Sequence, residues 1–342
     1  MSVSELPSYA VVSPVCDEAA HFAHTADSMI AQRHRPAQWI IVDDGSRDDT
    51  RAIAEAYAAE HPWITVVDSG QQAAPRARGA KIVRAFNAGL AELRVRPEIV
   101  VKMDGDIMLP SHYFEWVAET FARVPRAGVV GGQTQTFDGE RWTPDDVSRH
   151  NVNGAAKAYR MACFEEIGGL RASMGWDGID EYAARARGWG VYVLSELSIL
   201  HYKARGSRQK WRAARWEEGI GAHYMGYRGD FILLRIAYRI LTERPAPLAG
   251  LVFGAGFLYA RTSGKPVVDD RLARTALRAE QRERLQQLIR LNGRHTSVPS
   301  LPGGGPAFWS ASERPASATD AGGMGDVDSS ADAALGAPAA TP

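Results

Sequence analysis

The chain has 342 residues, and its 40 Lys+Arg balance 40 Asp+Glu to a formal net charge of zero. Balanced charge excludes a general nucleic-acid binder, which needs a basic excess. Two cysteines, Cys16 and Cys163, exclude a disulfide framework and fit a reducing compartment.

Length suggests about two domains, or one large α/β domain with additions. Residues 9–15 form a short apolar run around Pro14, stopped by Asp17, and read as a buried parallel strand. Residues 18–32 set Phe22, Met29 and Ile30 among polar positions, as a helix does. Residues 39–42 are a second buried strand, stopped by Asp43-Asp44-Gly45-Ser46. Asp48 or Asp49 can cap the helix expected over 50–60. A strand over 64–67, a helix over 78–93 and a strand over 99–103 follow. This alternation implies a parallel sheet covered on both faces.

Beyond Pro110 the order loosens. A helix is expected over 112–124, one or two strands within 128–136, and a strand over 155–161. A short helix over 180–187 ends at Gly188 or Gly190, and strands follow over 191–194 and 198–202. The rest reads as helices over 211–227, 231–241, 248–261 and 269–291. From about Thr296 the chain is Ser, Ala, Gly, Pro and Asp. That composition cannot offset its ordering entropy, so 295–342 is expected to be a disordered tail.

In an open parallel sheet, ligands bind beyond the carboxyl ends of the strands. Asp17, the Asp43/Asp44 pair and Asp104/Asp106 all fall at such ends. One such Asp alone is ordinary turn chemistry; three on one edge point to a site. Asp104-Gly105-Asp106 sets two carboxylates on a tight turn, suited to Mg²⁺ or Mn²⁺ shared with substrate phosphates. Pro14 to Glu18 stands where a nucleotidyltransferase would carry a Gly-rich phosphate loop, which counts against that activity.

Five segments, kept in order over residues 9–205, resemble family 2 glycosyltransferases. They are 10–18 (AVVSPVCDE), 40–46 (IIVDDGS), Asp104-Gly105-Asp106, 159–169 (YRMACFEEIGG) and 175–181 (GWDGIDE) with Arg185. The resemblance implies a GT-A fold: Rossmann-like α/β, a mostly parallel sheet with helices on both faces, here with a C-terminal helical extension. It also implies a nucleotide-diphospho-sugar donor, a saccharide or lipid-linked acceptor, and inversion by direct displacement. On that pattern Asp44, Asp17, Pro14 and Val15 line the nucleotide pocket. Asp104 faces ribose or metal, Asp106 holds the metal, and His201 is a third ligand. By their positions, on the third helix and in the basic stretch after His201, Lys81, Lys203 and Arg205 are expected to reach the nucleotide. The acceptor's proton goes to Asp180 or Glu181. Family members usually show Glu-Asp there, whereas this chain has Asp177, Asp180 and Glu181.

The expected division is a catalytic domain over 1–228, a helical extension over 229–294 and the tail. The setting expected is cell-surface or extracellular polysaccharide synthesis. A non-catalytic nucleotide- or glycan-binding scaffold of the same fold is the alternative. Residues 231–241 and 246–260 are apolar with Arg and Lys at their ends, which suits a helix lying on an anionic membrane surface. A helical hairpin packed on the catalytic domain, or across a homo-oligomer, is the competing reading. No run reaches the ~18 apolar residues of a spanning helix, and the N-terminus lacks a secretory signal pattern. The expected location is therefore the cytoplasm, including the cytoplasmic face of the membrane.

Overall fold

The computed structural model describes residues 6–70, 79–137, 141–144, 151–202, 210–243 and 247–291. Its first half follows the expected alternation: β1 (Tyr9–Val15), α1 (Phe22–Ile30), β2 (Gln38–Asp43), α2 (Thr50–Glu60), β3 (Ile64–Asp68), α3 (Ala80–Ala91) and β4 (Ile99–Met103). Every residue of β2 and β4 is buried, as befits strands covered on both faces. The four strands pair in parallel in the order β3-β2-β1-β4. The carboxyl ends of β1, β2 and β4 therefore form one edge.

The second half adds β5 (Ile107–Met108), α4 (Tyr113–Arg123), β6 (Ala127–Phe137), β7 (Trp142–Pro144), β8 (Ala156–Arg160), α5 (Met161–Glu166), α6 (Trp176–Ala186) and β9 (Gly190–His201). β8 inserts antiparallel between β4 and β6, β6 and β9 run parallel, and β5 pairs antiparallel with β9. The sheet is thus α/β with its parallel half at the amino end, as expected. Two expected strands, 191–194 and 198–202, are one continuous β9, whose pairing with β6 shifts register between Gly132 and Gln133.

Helix α6 starts at Trp176, four residues before the expected start at Asp180. Gly175 makes this start, holding the left-handed conformation (φ 86°) that a side chain disfavours. Its consequence is that Asp177 lies in the first turn, while Asp180 and Glu181 lie one turn further on.

The C-terminal helices are α7 (Lys210–Tyr224), α8 (Gly229–Thr242), α9 (Leu248–Thr262) and α10 (Arg271–Leu291). α10 returns to the catalytic region: Ala273 and Leu277 are buried in the same apolar cluster as Trp176, Ile179 and Tyr182 of α6. Asp270 fixes this return. Its carboxylate accepts from Arg187 (3.0 Å) and Arg171 (3.3 Å) and from the Ala273 N–H (3.0 Å). The expected tail lies outside the described residues.

Candidate active site

Parallel register brings Asp17, Asp44 and the Asp104–Asp106 turn to one edge. The main chain crosslinks them, since the Asp44 N–H donates to Val15 O (2.8 Å) and the Arg47 N–H to Asp17 Oδ1 (2.7 Å). Asp17 has a positive φ (53°), a conformation that Asp tolerates better than most residues. Pro14 and Val15 end β1 beside it. The buried Asp44 carboxylate is held by Ser69 Oγ (2.8 Å) and Lys81 Nζ (3.0 Å), and Lys81 is itself buried. Lys81 is thus placed to set the Asp44 carboxylate in one orientation.

The pairing of Ile107 with His201 carries the β9 histidine across to the turn. His201 Nε2 lies 3.1 Å from Asp106 Oδ1, and the Tyr202 N–H donates to Asp106 O (3.0 Å). Asp104, Asp106 and His201 each offer one ligand atom, and all three atoms lie within 4.8 Å of one another. Two carboxylate oxygens and one imidazole suit Mn²⁺, and the carboxylates suit Mg²⁺. Gly105 makes the turn tight: a Cβ there would stand 2.6 Å from Val15 Cγ1.

Two buried lysines complete the floor. Lys102 of β4 and Lys157 of β8 are cross-strand partners, so they face the same side. Their ammonium groups stand 5.4 and 5.9 Å from the centroid of the Trp176 ring. Lys102 bonds Asp104 Oδ1 and the Gly154 carbonyl (2.8 Å), so it both offsets and orients one candidate metal ligand. Lys157 Nζ lies 2.9 Å from Asp180 Oδ2, 2.9 Å from Glu181 Oε1 and 2.7 Å from the Asp177 carbonyl. Dehydration pulls the Lys157 pKa down, but the carboxylates of Asp180 and Glu181 outweigh it and hold the ammonium charged.

Asp180 and Glu181 are interior groups, 4% and 0% exposed. Asp180 accepts from Tyr159 OH (2.5 Å) and Glu181 from the Val152 N–H (2.8 Å) and Arg185 (3.2 Å). Burial raises the Glu181 pKa, with Lys157 opposing it. Both were expected to meet the acceptor, and in this structure their carboxylates are bonded inside the protein. The physical reason is the earlier start of α6, which turns both inward. Asp177 instead is exposed in the first turn. Surrounding protein still dehydrates it enough to raise its pKa, against the pull of Lys157 and Lys102. Through Lys102 and Trp176 it neighbours Asp104. Lys203 and Arg205 lie outside the described residues.

The lysines were the unread signal. A Lys inside an apolar strand, as in 99–103 (IVVKM) or 156–160 (AKAYR), requires a buried counter-charge.

Residues 10–168 match the family described as "Glycosyl transferase family 2". The succinoglycan biosynthesis protein ExoA of Rhizobium meliloti (strain 1021) is 25% identical over 287 residues, which is 75% of this chain and 80% of that protein. The fold resembles a Pyrobaculum calidifontis mannosyltransferase, PcManGT, solved with GDP-Man and Mn²⁺. The TM-score is 0.51 at 18% identity, covering 85% of this chain and 88% of that one. It also resembles GalNAc-T7, solved with UDP, GalNAc and Mn²⁺, with TM-score 0.53 at 11% identity over 84% and 58% of the two chains. These two likenesses establish the GT-A fold.

Proposed function

We infer from the match over residues 10–168 that the chain is a family 2 glycosyltransferase. From that premise we propose that it transfers a sugar from a nucleotide-diphosphate donor to a hydroxyl, with inversion. The setting proposed is polysaccharide synthesis, where the relative ExoA is named to act. The observation that carries the reading is the Asp104, Asp106 and His201 cluster on the ligand edge of the sheet.

Asp44, Asp17, Pro14 and Val15 form the nucleoside side of the pocket, with the Asp44 carboxylate held by Lys81 and Ser69. A carboxylate oxygen has more than one acceptor site, so Asp44 can still accept from a base or ribose. Asp104, Asp106 and His201 are the residues that would hold Mg²⁺ or Mn²⁺. Bound there, the cation would supply positive charge for the leaving diphosphate.

Asp177 takes the proton. The acceptor oxygen attacks the anomeric carbon, its O–H proton passes to the Asp177 carboxylate, and the bond from that carbon to the diphosphate oxygen breaks. A pKa above the ordinary aspartate value makes Asp177 a better base. Asp180 and Glu181, clamped by Lys157, hold α6 in place. The acceptor is a saccharide or lipid-linked hydroxyl.

The test measures nucleoside diphosphate release from a panel of nucleotide sugars, offered with saccharide acceptors and Mn²⁺. Asp177→Asn should keep nucleotide binding and lose about 10²–10⁴ of the rate. Asp177→Asn turning over at the wild-type rate would remove Asp177 from the chemistry. Absence of release from every donor would remove the transferase reading itself.

A further inference from the structure

The α8–α9 hairpin shows an apolar surface that the transfer chemistry does not use. On α8, Leu233, Tyr238 and Leu241 are 69%, 62% and 82% exposed. On α9, Leu251, Leu258 and Tyr259 are 52%, 57% and 44% exposed. A folded domain normally hides so many large apolar side chains unless the patch is used.

The helices could hide these residues only by turning over, because their other faces are committed. Gly250 and Gly254 of α9 lie against Ile236 of α8. Phe253, Gly256 and Ala260 of α9 are buried. A Cβ on Gly256 would stand 2.2 Å from the Trp216 carbonyl of α7, and one on Gly219 of α7 would stand 2.2 Å from the Phe253 carbonyl. At that approach α9 is locked on α7 with its Leu251 and Leu258 side outward.

Charge selects the occupant. The two acids of the hairpin are neutralised: Asp230 by Arg228, and Glu243 by Arg215 and Arg239. Arg261 and Lys265, exposed at the end of α9, have no acidic partner among the described residues. The surface is therefore apolar, carries two tyrosines and has a cationic end. Apolar side chains partition into the acyl boundary, tyrosines suit the headgroup level, and Arg and Lys attract anionic lipid. The hairpin cannot cross a membrane. α8 has 14 residues and α9 has 15, each about 21–23 Å long against a hydrocarbon core of ~30 Å. No helix among the described residues is long and apolar enough to span.

We propose that the α8–α9 hairpin lies on an anionic lipid surface, with its exposed Leu and Tyr side chains in the headgroup–acyl boundary. α9 packs on α7, and Gly221 of α7 lies against Met174, just ahead of α6.

The test is co-sedimentation of the full chain with vesicles of phosphatidylcholine, with and without phosphatidylserine, in parallel with light scattering of the protein alone. The expected result is binding that phosphatidylserine strengthens. Leu241→Glu with Leu251→Glu should weaken it at least about tenfold, since each buried leucine side chain contributes more than one decade. Arg261→Glu with Lys265→Glu should remove the phosphatidylserine dependence. Because all four side chains are exposed, the circular dichroism and melting temperature of both variants should match wild type. No binding to either vesicle, or binding that neither variant weakens, overturns the proposal. So does a stable dimer that Leu241→Glu with Leu251→Glu dissolves, because a second copy would then cover the face.

Discussion

Lys157→Met tests the buried charge cluster that holds α6. The Lys157 ammonium is fully buried, 2.9 Å from each of two buried carboxylates. Removing one partner of a buried ion pair costs about 3–5 kcal/mol, because a charge is left uncompensated. Here Tyr159 OH, the Val152 N–H and Arg185 remain on the carboxylates. We therefore expect the low end, about 3 kcal/mol, or roughly a hundredfold in the folding equilibrium. Denaturant unfolding followed by tryptophan fluorescence measures it. The pH dependence is a second readout. Burial already raises the Glu181 pKa, and without the opposing ammonium it rises further, so the folded form binds more protons than the unfolded form. Stability then falls as pH rises through that window, and the penalty should be smaller at about pH 5 than at about pH 8. Adding Asp180→Asn and Glu181→Gln removes the stranded charges and should recover much of the loss. A Lys157→Met penalty below about 1 kcal/mol, or one independent of pH, would refute the assignment of this cluster as a charge-balanced clamp.

Gly105→Ala should cost about 1–3 kcal/mol through overpacking against buried Val15. It should also weaken Mn²⁺-induced thermal stabilisation, because the Asp104–Asp106 turn must shift; unchanged melting and cation response would count against the tight turn. Asp270→Asn should lower stability by about 1–2 kcal/mol at neutral pH, through weaker bonds to Arg187 and Arg171 and a weaker helix cap. Despite dehydration, the Ala273 N–H and Arg187 hold the Asp270 pKa below its ordinary value. Its contribution is therefore present above the unfolded value and is lost as pH falls through the folded one. Urea curves of wild type and Asp270→Asn should converge in acid, and parallel curves at every pH would contradict the sign.

The parallel half of the sheet is legible because local patterns set it. The strand at 99–103 is found with the expected limits, and the helix at 50–60 likewise. The ligand edge followed from the same alternation, which is why Asp17, Asp44, Asp104 and Asp106 assemble there. His201 joins them through the antiparallel pairing of β5 with β9, a contact across about 95 residues that periodicity does not encode. The acid of α6 was less legible for a different reason. Its choice depended on where the helix begins, and a shift of four residues turns Asp180 from an opening position to the interior. Gly175 carries the clue, since a glycine ahead of an apolar-acidic run can hold the left-handed turn that starts a helix. The buried lysines went unread because their partners lie on other elements, and α10 gives no sequence sign that it returns to α6.

The most direct measurement of the central claim is calorimetric titration of nucleoside diphosphates, with and without Mn²⁺, into wild type and Asp106→Ala. One base should bind, Mn²⁺ should strengthen that binding at least about tenfold through the shared diphosphate, and Asp106→Ala should abolish this gain. Equal binding by wild type and Asp106→Ala in the presence of Mn²⁺ would contradict that claim.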